Sequence, residues 1–330
     1  MRPFRAGRRR AGTLRVASFA PLLLVLASRA AITLGEASHP VKGGWCGILL
    51  LHRSTAWRGE GPVEAHRWKL LALDLDGTLL RDDLSVDPRD RAAVERARAG
   101  GVEVTLLTGR MLPSVWPYLA ELQITAPVVL YNGALIHDPR LGHQTVLGRL
   151  SARLASQLLG LARSRRVEAQ LYLGSELLIA EETPAQRDFL DKERLVAREV
   201  GDLAAAVSDE PIKLLFIGEP DVLDDLERRW GPLVAGEGRF VRSQATYLEC
   251  LAPNVDKGVA LKVVAGSLQA PMEAVIAVGD QPNDVEMLSV AGMGVAVASA
   301  HEACLEAADV VLVRTNNEAA VEEVVERFLQ

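Results

Sequence analysis

Two aspartates separated by a single residue follow a short apolar segment near residue 70. Asp74 and Asp76 close the run that starts at Lys69, and Gly77 and Thr78 come directly after them. Two carboxylates placed this close destabilise a fold unless a cation or a reacting group uses them. Together they suit a Mg²⁺ ion, and Gly77 allows a ligand to approach the backbone closely. Surface turns carry many Asp-x-Asp pairs, so the preceding apolar strand is what makes this pair a candidate site.

A second cluster, Thr108-Gly109-Arg110, follows another apolar run and precedes a predicted helix. A hydroxyl group and backbone N–H groups at the start of a helix can bind an anion, because the helix dipole adds positive potential there. The alternative interpretation is that Thr108 is an ordinary helix N-cap. The cluster taken alone leaves both interpretations open.

Two further clusters lie in the last third of the chain. Lys257 begins a predicted helix, where its charge could bind a phosphate group, although a single lysine at such a position is more often a surface residue. Asp280, Asn283 and Asp284 follow an apolar run, with the two acids four residues apart. All four clusters therefore fall where predicted strands end or predicted helices begin.

The chain from Trp68 onward alternates predicted strands with predicted helices. The apolar runs that predict strands span residues 69–74, 102–107, 127–131, 274–278, 294–298 and 309–313. This alternation predicts βαβ units, and hence an α/β fold with a Rossmann-like, doubly wound, mostly parallel sheet. Ligands bind beyond the carboxyl ends of the strands in such sheets.

The segment 136–251 does not continue the alternation of strands and helices found on either side of it. It contains predicted strands and helices of its own, with strands near 168–180 and 211–218 and a hairpin at 239–252. Because the segment leaves and rejoins the chain next to strand ends, we expect it to lie over them as an α/β cap. The predicted catalytic core is then 67–135 together with 252–330.

The four clusters, in this order and at equivalent strand ends, resemble the haloacid dehalogenase superfamily of phosphotransferases. The surrounding residues are similar to those of the Cof-type (class IIB) sugar-phosphate phosphatases, and the resemblance covers about residues 68–330. It is carried by Leu73–Leu80, Thr108–Arg110, Asn132–Ala134, Lys257–Gly258, Gly279–Leu288 and Ala291–Ala296. The resemblance implies that the inserted segment is a cap of the C2 type, because it falls between Thr108 and Lys257.

The resemblance also implies a role for each matched residue. Asp74 would be the nucleophile that forms an aspartyl-phosphate, and Asp76 would protonate the leaving group and then activate water. Mg²⁺ would be held by the carboxylate of Asp74, the main-chain carbonyl of Asp76 and Asp280, while Asp284 supports the metal shell or Lys257. The implied phosphate-binding residues are Thr108, Gly109, Lys257 and Asn283.

These roles imply a Mg²⁺-dependent phosphatase that hydrolyses a small phosphorylated metabolite such as a sugar phosphate. A phosphomutase of the same superfamily stays open, because it shares the aspartate pair. A non-catalytic phospholigand-binding protein is a third interpretation, but its signature would be the loss of a catalytic residue. The sequence indicates neither the physiological substrate nor the oligomeric state.

Composition and charge exclude several other classes of protein. The 330 residues are 49% hydrophobic and 24% charged, which excludes disordered and collagen-like chains. The formal net charge of −6 is uneven, since residues 1–67 are basic and the remainder is acidic. An acidic body argues against nucleic-acid binding, which depends on Lys and Arg. Three cysteines at unrelated spacings favour a reducing compartment, so we expect a cytoplasmic protein.

Residues 1–66 form a leader that the α/β pattern does not use. An arginine-rich start precedes the apolar run Val16–Ala27, which is the layout of a signal peptide and is too short for a spanning helix. A targeting peptide, a disordered extension and a mis-assigned start all fit this segment. The protein would be exported if residues 1–30 are a signal peptide, but we expect no stable membrane association of the body.

A few other residues invite a functional interpretation. His137 and His143 near the start of the cap are expected to be solvated, and Trp116 and Trp230 to pack in the core. Glu249 and Cys250 lead back toward the core and could face the site, although Cys250 is expected to be a small buried apolar residue.

Overall fold

The computed structural model describes residues 68–329 of the chain. The predicted leader, residues 1–66, lies outside the described residues. Within 68–329 the chain forms two β-sheets, of eight and six strands, with α-helices packed against them.

The first sheet is mostly parallel. Its strands are β1 (Leu70–Asp74), β2 (Glu103–Leu107), β3 (Val128–Leu130), β4 (Leu135–Asp138), β5 (His143–Val146), β12 (Val275–Gly279), β13 (Met293–Ala296) and β14 (Val310–Val311). They lie in the order β14-β13-β12-β1-β2-β3-β4-β5. The pairings from β14 to β3 are parallel, and β4 and β5 add an antiparallel hairpin at the edge. This arrangement confirms the predicted α/β class with a doubly wound parallel sheet.

Helices cover both faces of this sheet. They are α1 (Pro88–Ala99), α2 (Leu112–Glu121), α6 (Lys257–Ser267), α7 (Val285–Val290), α8 (Glu302–Ala307) and α9 (Ala320–Phe328). The helix starts follow ordinary capping chemistry: the carboxylate of Asp87 accepts from the backbone N–H of Arg89, and Pro88 occupies the first turn of α1.

The central strand β1 is buried at all five positions, as its uninterrupted apolar sequence predicts for a strand covered on both faces. The chain adds β2 and β3 on one side of β1 and later adds β12 to β14 on the other side. The strand order therefore reverses between β1 and β12. In doubly wound sheets this reversal opens a crevice at the carboxyl ends of the two strands, and Asp74 and Asp280 lie at those ends.

The second sheet, with the helices packed on it, forms what we call the inserted unit, residues 150–251. Its strand order is β10-β11-β9-β6-β7-β8, and every pairing except β7 with β8 is antiparallel. The strands are β6 (Glu168–Leu173), β7 (Glu176–Ile179), β8 (Arg198–Glu199), β9 (Lys213–Ile217), β10 (Arg239–Gln244) and β11 (Tyr247–Leu251). The helices are α3 (Ala152–Arg165), α4 (Pro184–Glu193) and α5 (Pro220–Val234).

The two faces of the second sheet have different surroundings. One face packs with α3 and α5 in an apolar cluster that contains Phe216, Trp230 and Cys250. The opposite face shares a cluster with residues of the first sheet and includes Tyr172 and Leu215. Since successive residues of a strand point to opposite faces, Glu249 lies on the side of the first sheet and Cys250 lies on the helix side.

Several elements of the structure differ from the sequence-based predictions. The hairpin β4–β5 extends the first sheet, although the predicted cap began at residue 136. Strand β4 pairs with β3 and β5 pairs with β4, so the first sheet continues to Val146. Helix α4 was not predicted, although Thr183 caps it and Pro184 opens it. Strand β14 is only two residues long, against a predicted span of 309–313.

The prediction of a core position is confirmed for one of the two tryptophans and wrong for the other. Trp230 is buried against Phe216 as expected, but Trp116 is 53% exposed, so its predicted core position is wrong. Helix α2 buries Val115 and Leu119, and Trp116 falls on the opposite side of that helix.

The two cysteines in the described part of the chain, Cys250 and Cys304, are free and buried, and burial raises the pKa of the Cys250 thiol to about 12. Among residues 68–329 no helix combines the length and the apolar composition needed to cross a membrane.

Candidate active site

The first strand delivers Asp74 to a buried lysine. Lys257 begins α6 and has no exposed surface, and its Nζ lies 2.5 Å from Asp74 Oδ1 and 2.6 Å from Asp284 Oδ1. The interpretation of Lys257 as a surface residue is therefore wrong. Asp256 supplies the N-cap of α6, which leaves the lysine side chain free to point into the sheet edge. One cation is thus shared between two carboxylates.

Three carboxylates converge at the crevice between β1 and β12. Asp74, Asp280 and Asp284 each offer an oxygen, and these oxygens lie within 4.8 Å of one another. Burial and the neighbouring Asp284 raise the pKa of Asp74 well above its usual range, and the same two causes raise the pKa of Asp280 to about 6. Lys257 alone does not balance three buried carboxylates. A hard divalent cation with oxygen ligands, such as Mg²⁺, fits this donor set.

Asp280 is held in place by the loop that follows β1. Its Oδ1 accepts a hydrogen bond from the Thr78 hydroxyl at 2.8 Å, and its Oδ2 accepts one from Gln281 Nε2 at 2.9 Å. Gly77 adopts φ +78°, and a Cβ atom there would lie 2.4 Å from Asp280 Oδ2. A glycine is therefore required for the two loops to approach each other.

Asp284 has less capacity to bind a metal ion than its position suggests. Its Oδ1 accepts from Lys257, and its Oδ2 accepts from the backbone N–H groups of Asp280 and Gln281, both at 3.0 Å. These bonds fix the turn that carries Asp280. The geometry fits the supporting role that the sequence analysis gave to Asp284.

The carboxylate of Asp76 does not belong to this group and pairs with Arg110 instead. Arg110 Nε and one of its terminal nitrogens donate to the two oxygens of Asp76 at 2.7 and 2.6 Å. The other terminal nitrogen lies 3.1 Å from Glu193, at the end of α4 in the inserted unit. Arg110 is buried, so one guanidinium group connects the first sheet to the inserted unit at the site.

Thr108 is not a helix N-cap. Met111 occupies the N-cap position of α2 without a side-chain bond, while the Thr108 hydroxyl accepts from the backbone N–H of Arg110 at 3.1 Å. Thr108 is buried beside Asp74 and Asp76 in the lining of the same cleft. A Cβ atom on Gly109 would lie 3.0 Å from Asn132 Nδ2 and 3.2 Å from Glu249 Oε1. Gly109 therefore permits the inserted unit to approach this turn.

Asn283 is linked to Asn132, a residue to which the sequence analysis gave no role. Asn283 Nδ2 donates to Asn132 Oδ1 at 2.9 Å, which leaves Asn283 Oδ1 and Asn132 Nδ2 buried without partners among the described residues. The amide nitrogen of Asn283 has two N–H groups, so one can donate to Asn132 while the second donates to a phosphate.

The inserted unit provides the remaining wall of the cleft, whose cavity volume is about 50 Å³. Lys213 Nζ donates to the Gly109 carbonyl at 2.8 Å and to Glu249 Oε2 at 2.9 Å. Neither Lys213 nor Glu193 was identified from the sequence. Lys213 precedes an apolar strand run, and its alternation with Leu215 could have indicated the side that faces the site. Glu193 belongs to the helix that was not predicted.

The two histidines near the inserted unit do not belong to this cleft. His143 is exposed, as expected, but His137 is buried on β4 with its ring 6.3 Å from that of Trp116. The expectation that His137 is solvated is wrong, because β4 joins the first sheet instead of forming a loop.

Comparisons with known proteins identify the class to which this fold and site belong. The profile of the haloacid dehalogenase-like hydrolases matches residues 71–325. The chain belongs to this family of hydrolytic enzymes, and its resemblance to the Cof-type phosphatases is confirmed.

Among its relatives, phosphatase YwpJ of Bacillus subtilis (strain 168) is 31% identical over 292 residues, which cover 79% of this chain and 100% of YwpJ. The 5-amino-6-(5-phospho-D-ribitylamino)uracil phosphatase YitU of the same strain is 27% identical, with 73% of this chain and 90% of YitU covered. A haloacid dehalogenase-like hydrolase from Bacteroides thetaiotaomicron has a similar structure, with a TM-score of 0.71 and 28% sequence identity, over 79% of this chain and 99% of that one.

Proposed function

We propose that this protein is a Mg²⁺-dependent phosphatase that hydrolyses a small phosphomonoester through an aspartyl-phosphate on Asp74. The observation that carries the proposal is the position of Asp74, which meets a buried lysine and two further carboxylates at the reversal of strand order. A nucleophilic carboxylate, a cation site and a phosphate-binding lysine are what phosphoryl transfer requires.

Asp74 is suited to attack phosphorus. Its Oδ1 is held by Lys257, and its Oδ2 has no hydrogen-bond partner among the described residues. The free oxygen forms the bond to phosphorus while the bond from phosphorus to the ester oxygen breaks. Lys257 keeps the carboxylate oriented and carries positive charge next to the reacting group.

Asp76 is the proposed acid and base. In the first step it gives a proton to the departing ester oxygen, and in the second it takes a proton from the water that attacks the aspartyl-phosphate. The products are inorganic phosphate and the free alcohol, and Asp74 is regenerated. Since Arg110 holds both oxygens of Asp76 in this structure, substrate binding must shift that guanidinium or rotate the carboxyl group.

The transferring phosphoryl group is proposed to contact Thr108, Gly109, Lys257 and Asn283. The Asp74 carboxylate, the main-chain carbonyl of Asp76 and Asp280 would hold Mg²⁺, which would neutralise charge on the phosphoryl oxygens. Asp284 orients Lys257 and the turn that carries Asp280.

We further propose that the inserted unit is a cap that moves. The predicted division into a core, 67–135 with 252–330, and a cap, 136–251, then needs one adjustment, because the hairpin up to Val146 belongs to the sheet of the core. A cavity of about 50 Å³ has room for a few water molecules only, whereas sites for small organic ligands usually enclose about 300 Å³ or more. The unit must open for a substrate to enter.

The proposed substrates are small phosphorylated metabolites. The relative YitU is a phosphatase of a phosphorylated ribitylamino compound, which supports a small ester with a polar leaving group. The particular ester depends on side chains of the inserted unit, which differ in position and chemistry from one family member to another.

The test compares Asp74→Asn with the matched control Asp188→Asn, which removes an exposed carboxylate of α4. Phosphate release from p-nitrophenyl phosphate and from a panel of sugar phosphates is measured with Mg²⁺ and with excess chelator. We expect Asp188→Asn to behave as wild type, and Asp74→Asn or chelation to abolish turnover. Turnover by folded Asp74→Asn above a few per cent would contradict the proposal. Isomerised rather than dephosphorylated hexose phosphate would identify a phosphomutase.

A further inference from the structure

Two cationic side chains among the described residues line the cleft, and each is already paired with a carboxylate. Arg110 is bound to Asp76 and Glu193, and Lys213 is bound to Glu249. The Lys213 and Glu249 side chains are each only 4% exposed. A buried charge held in this way is costly to separate from its partner. Neither cation is therefore free to bind a new anion.

The ammonium group of Lys213 also has further contacts that use its N–H donors. Its ammonium group donates to the Gly109 carbonyl as well as to Glu249, and it lies 4.7 Å from the centre of the Tyr172 ring. An ammonium group has three N–H donors, and these contacts occupy the directions available to it. Lys213 therefore serves to hold Glu249 and the Gly109 turn.

The carboxylate of Glu249 lies close to where the substrate phosphate is proposed to bind. Its Oε1 is the atom that a Cβ on Gly109 would approach to 3.2 Å, and it accepts a hydrogen bond from Ser243 at 2.7 Å. Glu249 is on the face of β11 that is directed toward the first sheet. Glu249 lines the same cleft as Asp74 and Asp76.

The charges that line the cleft sum to a negative value. Four carboxylates line it, against two cations; the carboxylates are those of Asp74, Asp76, Glu193 and Glu249, and the cations are Arg110 and Lys213. Lys257 is bound to both Asp74 and Asp284, and the proposed Mg²⁺ ion would neutralise charge on the phosphoryl group. Among the described residues, the lining has no unpaired cation left to neutralise a second negative group on the substrate.

The rest of the wall contains neutral groups. Gln244 and Tyr247 line the cleft, and the rings of Tyr247 and Phe189 meet edge to face with centres 5.7 Å apart. Burial raises the pKa of Tyr247 to about 12, so its phenol stays a neutral hydrogen-bond donor. Such a wall contacts hydroxyl groups and apolar ring or chain faces without a charge requirement.

Resting on the proposed function, we propose that Glu249 is a specificity-determining residue that rejects substrates with a second anionic group. The site takes phosphomonoesters whose leaving group is uncharged, and it discriminates against bisphosphates and phosphorylated acids. The discrimination works through pairing: because Glu249 already occupies Lys213, a second carboxylate placed in this part of the cleft is desolvated without a cationic partner.

The test uses two substrates that differ by one charge. Sorbitol 6-phosphate and 6-phosphogluconate share a six-carbon hydroxylated chain, and one ends in a hydroxymethyl group where the other has a carboxylate. We expect kcat/KM of the wild-type enzyme to be at least about tenfold higher for sorbitol 6-phosphate. A ratio near one or below one would overturn the inference, and so would the absence of turnover for both esters.

p-Nitrophenyl phosphate is assayed in the same preparation to separate this inference from the proposed function. If that small activated ester is not hydrolysed, the phosphatase assignment itself fails. If it is hydrolysed and the two six-carbon esters behave alike, only the role of Glu249 fails.

A pair of variants adds a second measurement. Glu249→Gln removes the charge while keeping an oxygen acceptor for Lys213 or Ser243, and we expect it to lower the preference for sorbitol 6-phosphate severalfold. Glu95→Gln, at an exposed position of α1, removes an equal charge far along the sequence from the inserted unit and should leave the preference unchanged. An unaltered preference in folded Glu249→Gln would contradict the proposal. If that variant does not fold, the wild-type comparison still decides.

Discussion

Arg110 and Glu193 form a buried ion pair, with 3.1 Å between a guanidinium nitrogen and the carboxylate, and the pair spans the two sheets. The same guanidinium group holds both oxygens of Asp76. Ser114 strengthens the junction, because its hydroxyl donates to the Glu193 carbonyl at 2.7 Å. The position of the proposed acid and base therefore depends on a residue of the inserted unit.

Replacing Glu193 with glutamine should lower kcat without unfolding the protein. Arg110 then loses one of its two acidic partners and binds Asp76 more tightly. The Asp76 carboxyl group is then displaced from the position in which it transfers a proton. Displacement of a reacting group by about 1 Å can cost about a hundredfold in rate, so we expect a loss of about ten- to a hundredfold. Steady-state kinetics at several pH values measure it. Glu182→Gln, which breaks the exposed pair with Arg187, is the control. Equal kcat in both variants would show that Glu193 only supports the fold.

Much of the first sheet was predictable from the sequence because its strands are short apolar runs that end at polar clusters. The prediction of β1 failed only at its first residue, and Asp87 with Pro88 located the start of α1. A continuous apolar run shows no periodicity of its own, and it was the shortness of these runs and the polar residues after them that favoured strands over helices.

The contacts between the inserted unit and the site were less predictable. The pairing of Arg110 with Glu193 joins residues 83 positions apart, and the pairing of Lys213 with Gly109 joins residues 104 positions apart. Local propensity and spacing carry no information on such contacts. They depend on how the second sheet packs over the first, which only the tertiary structure gives.

Lys257→Met should abolish activity and also destabilise the fold. The variant leaves Asp74 and Asp284 in a buried site without their shared cation, and breaking a buried ion pair costs about 3 to 5 kcal/mol. Urea unfolding of the variant checks the free energy of unfolding. Lys262→Met removes an exposed lysine from the same helix and serves as the control. A fully stable Lys257→Met protein would show that the lysine charge does not stabilise Asp74 and Asp284 in the buried site.

Mg²⁺ should raise the melting temperature of the wild-type protein. A ligand that binds only the folded state stabilises it by about 2.7 kcal/mol at a hundredfold excess over its Kd. Asp280→Asn removes one carboxylate from the group that contains Asp74 and Asp284, and it should lose most of the shift. Calorimetry with Mg²⁺ and with chelator measures this independently of catalysis. An equal shift in wild type and variant would place the ion elsewhere.

Asp90→Asn should stabilise the protein more at pH 8 than at pH 5. Asp90 lies buried in α1, where its Oδ1 accepts from the backbone N–H of Glu322 and its Oδ2 has no partner among the described residues. Burial, followed by the charges of Asp87 and Glu322, raises its pKa from 3.8 to about 7. The folded protein therefore keeps a proton that the unfolded chain releases near pH 4, so the stability that Asp90 contributes is lost as pH rises to 7.

Asparagine keeps the acceptor for Glu322 and carries no charge. We expect the gain in the free energy of unfolding to be about 1 to 3 kcal/mol larger at pH 8 than at pH 5, measured by urea unfolding at both pH values. Glu95→Gln on the exposed side of α1 is the control and should show no such pH dependence. An Asp90→Asn effect of equal size at both pH values would mean that the aspartate is ionised at pH 5 in the folded protein, and that solvent or a cation reaches its Oδ2 oxygen.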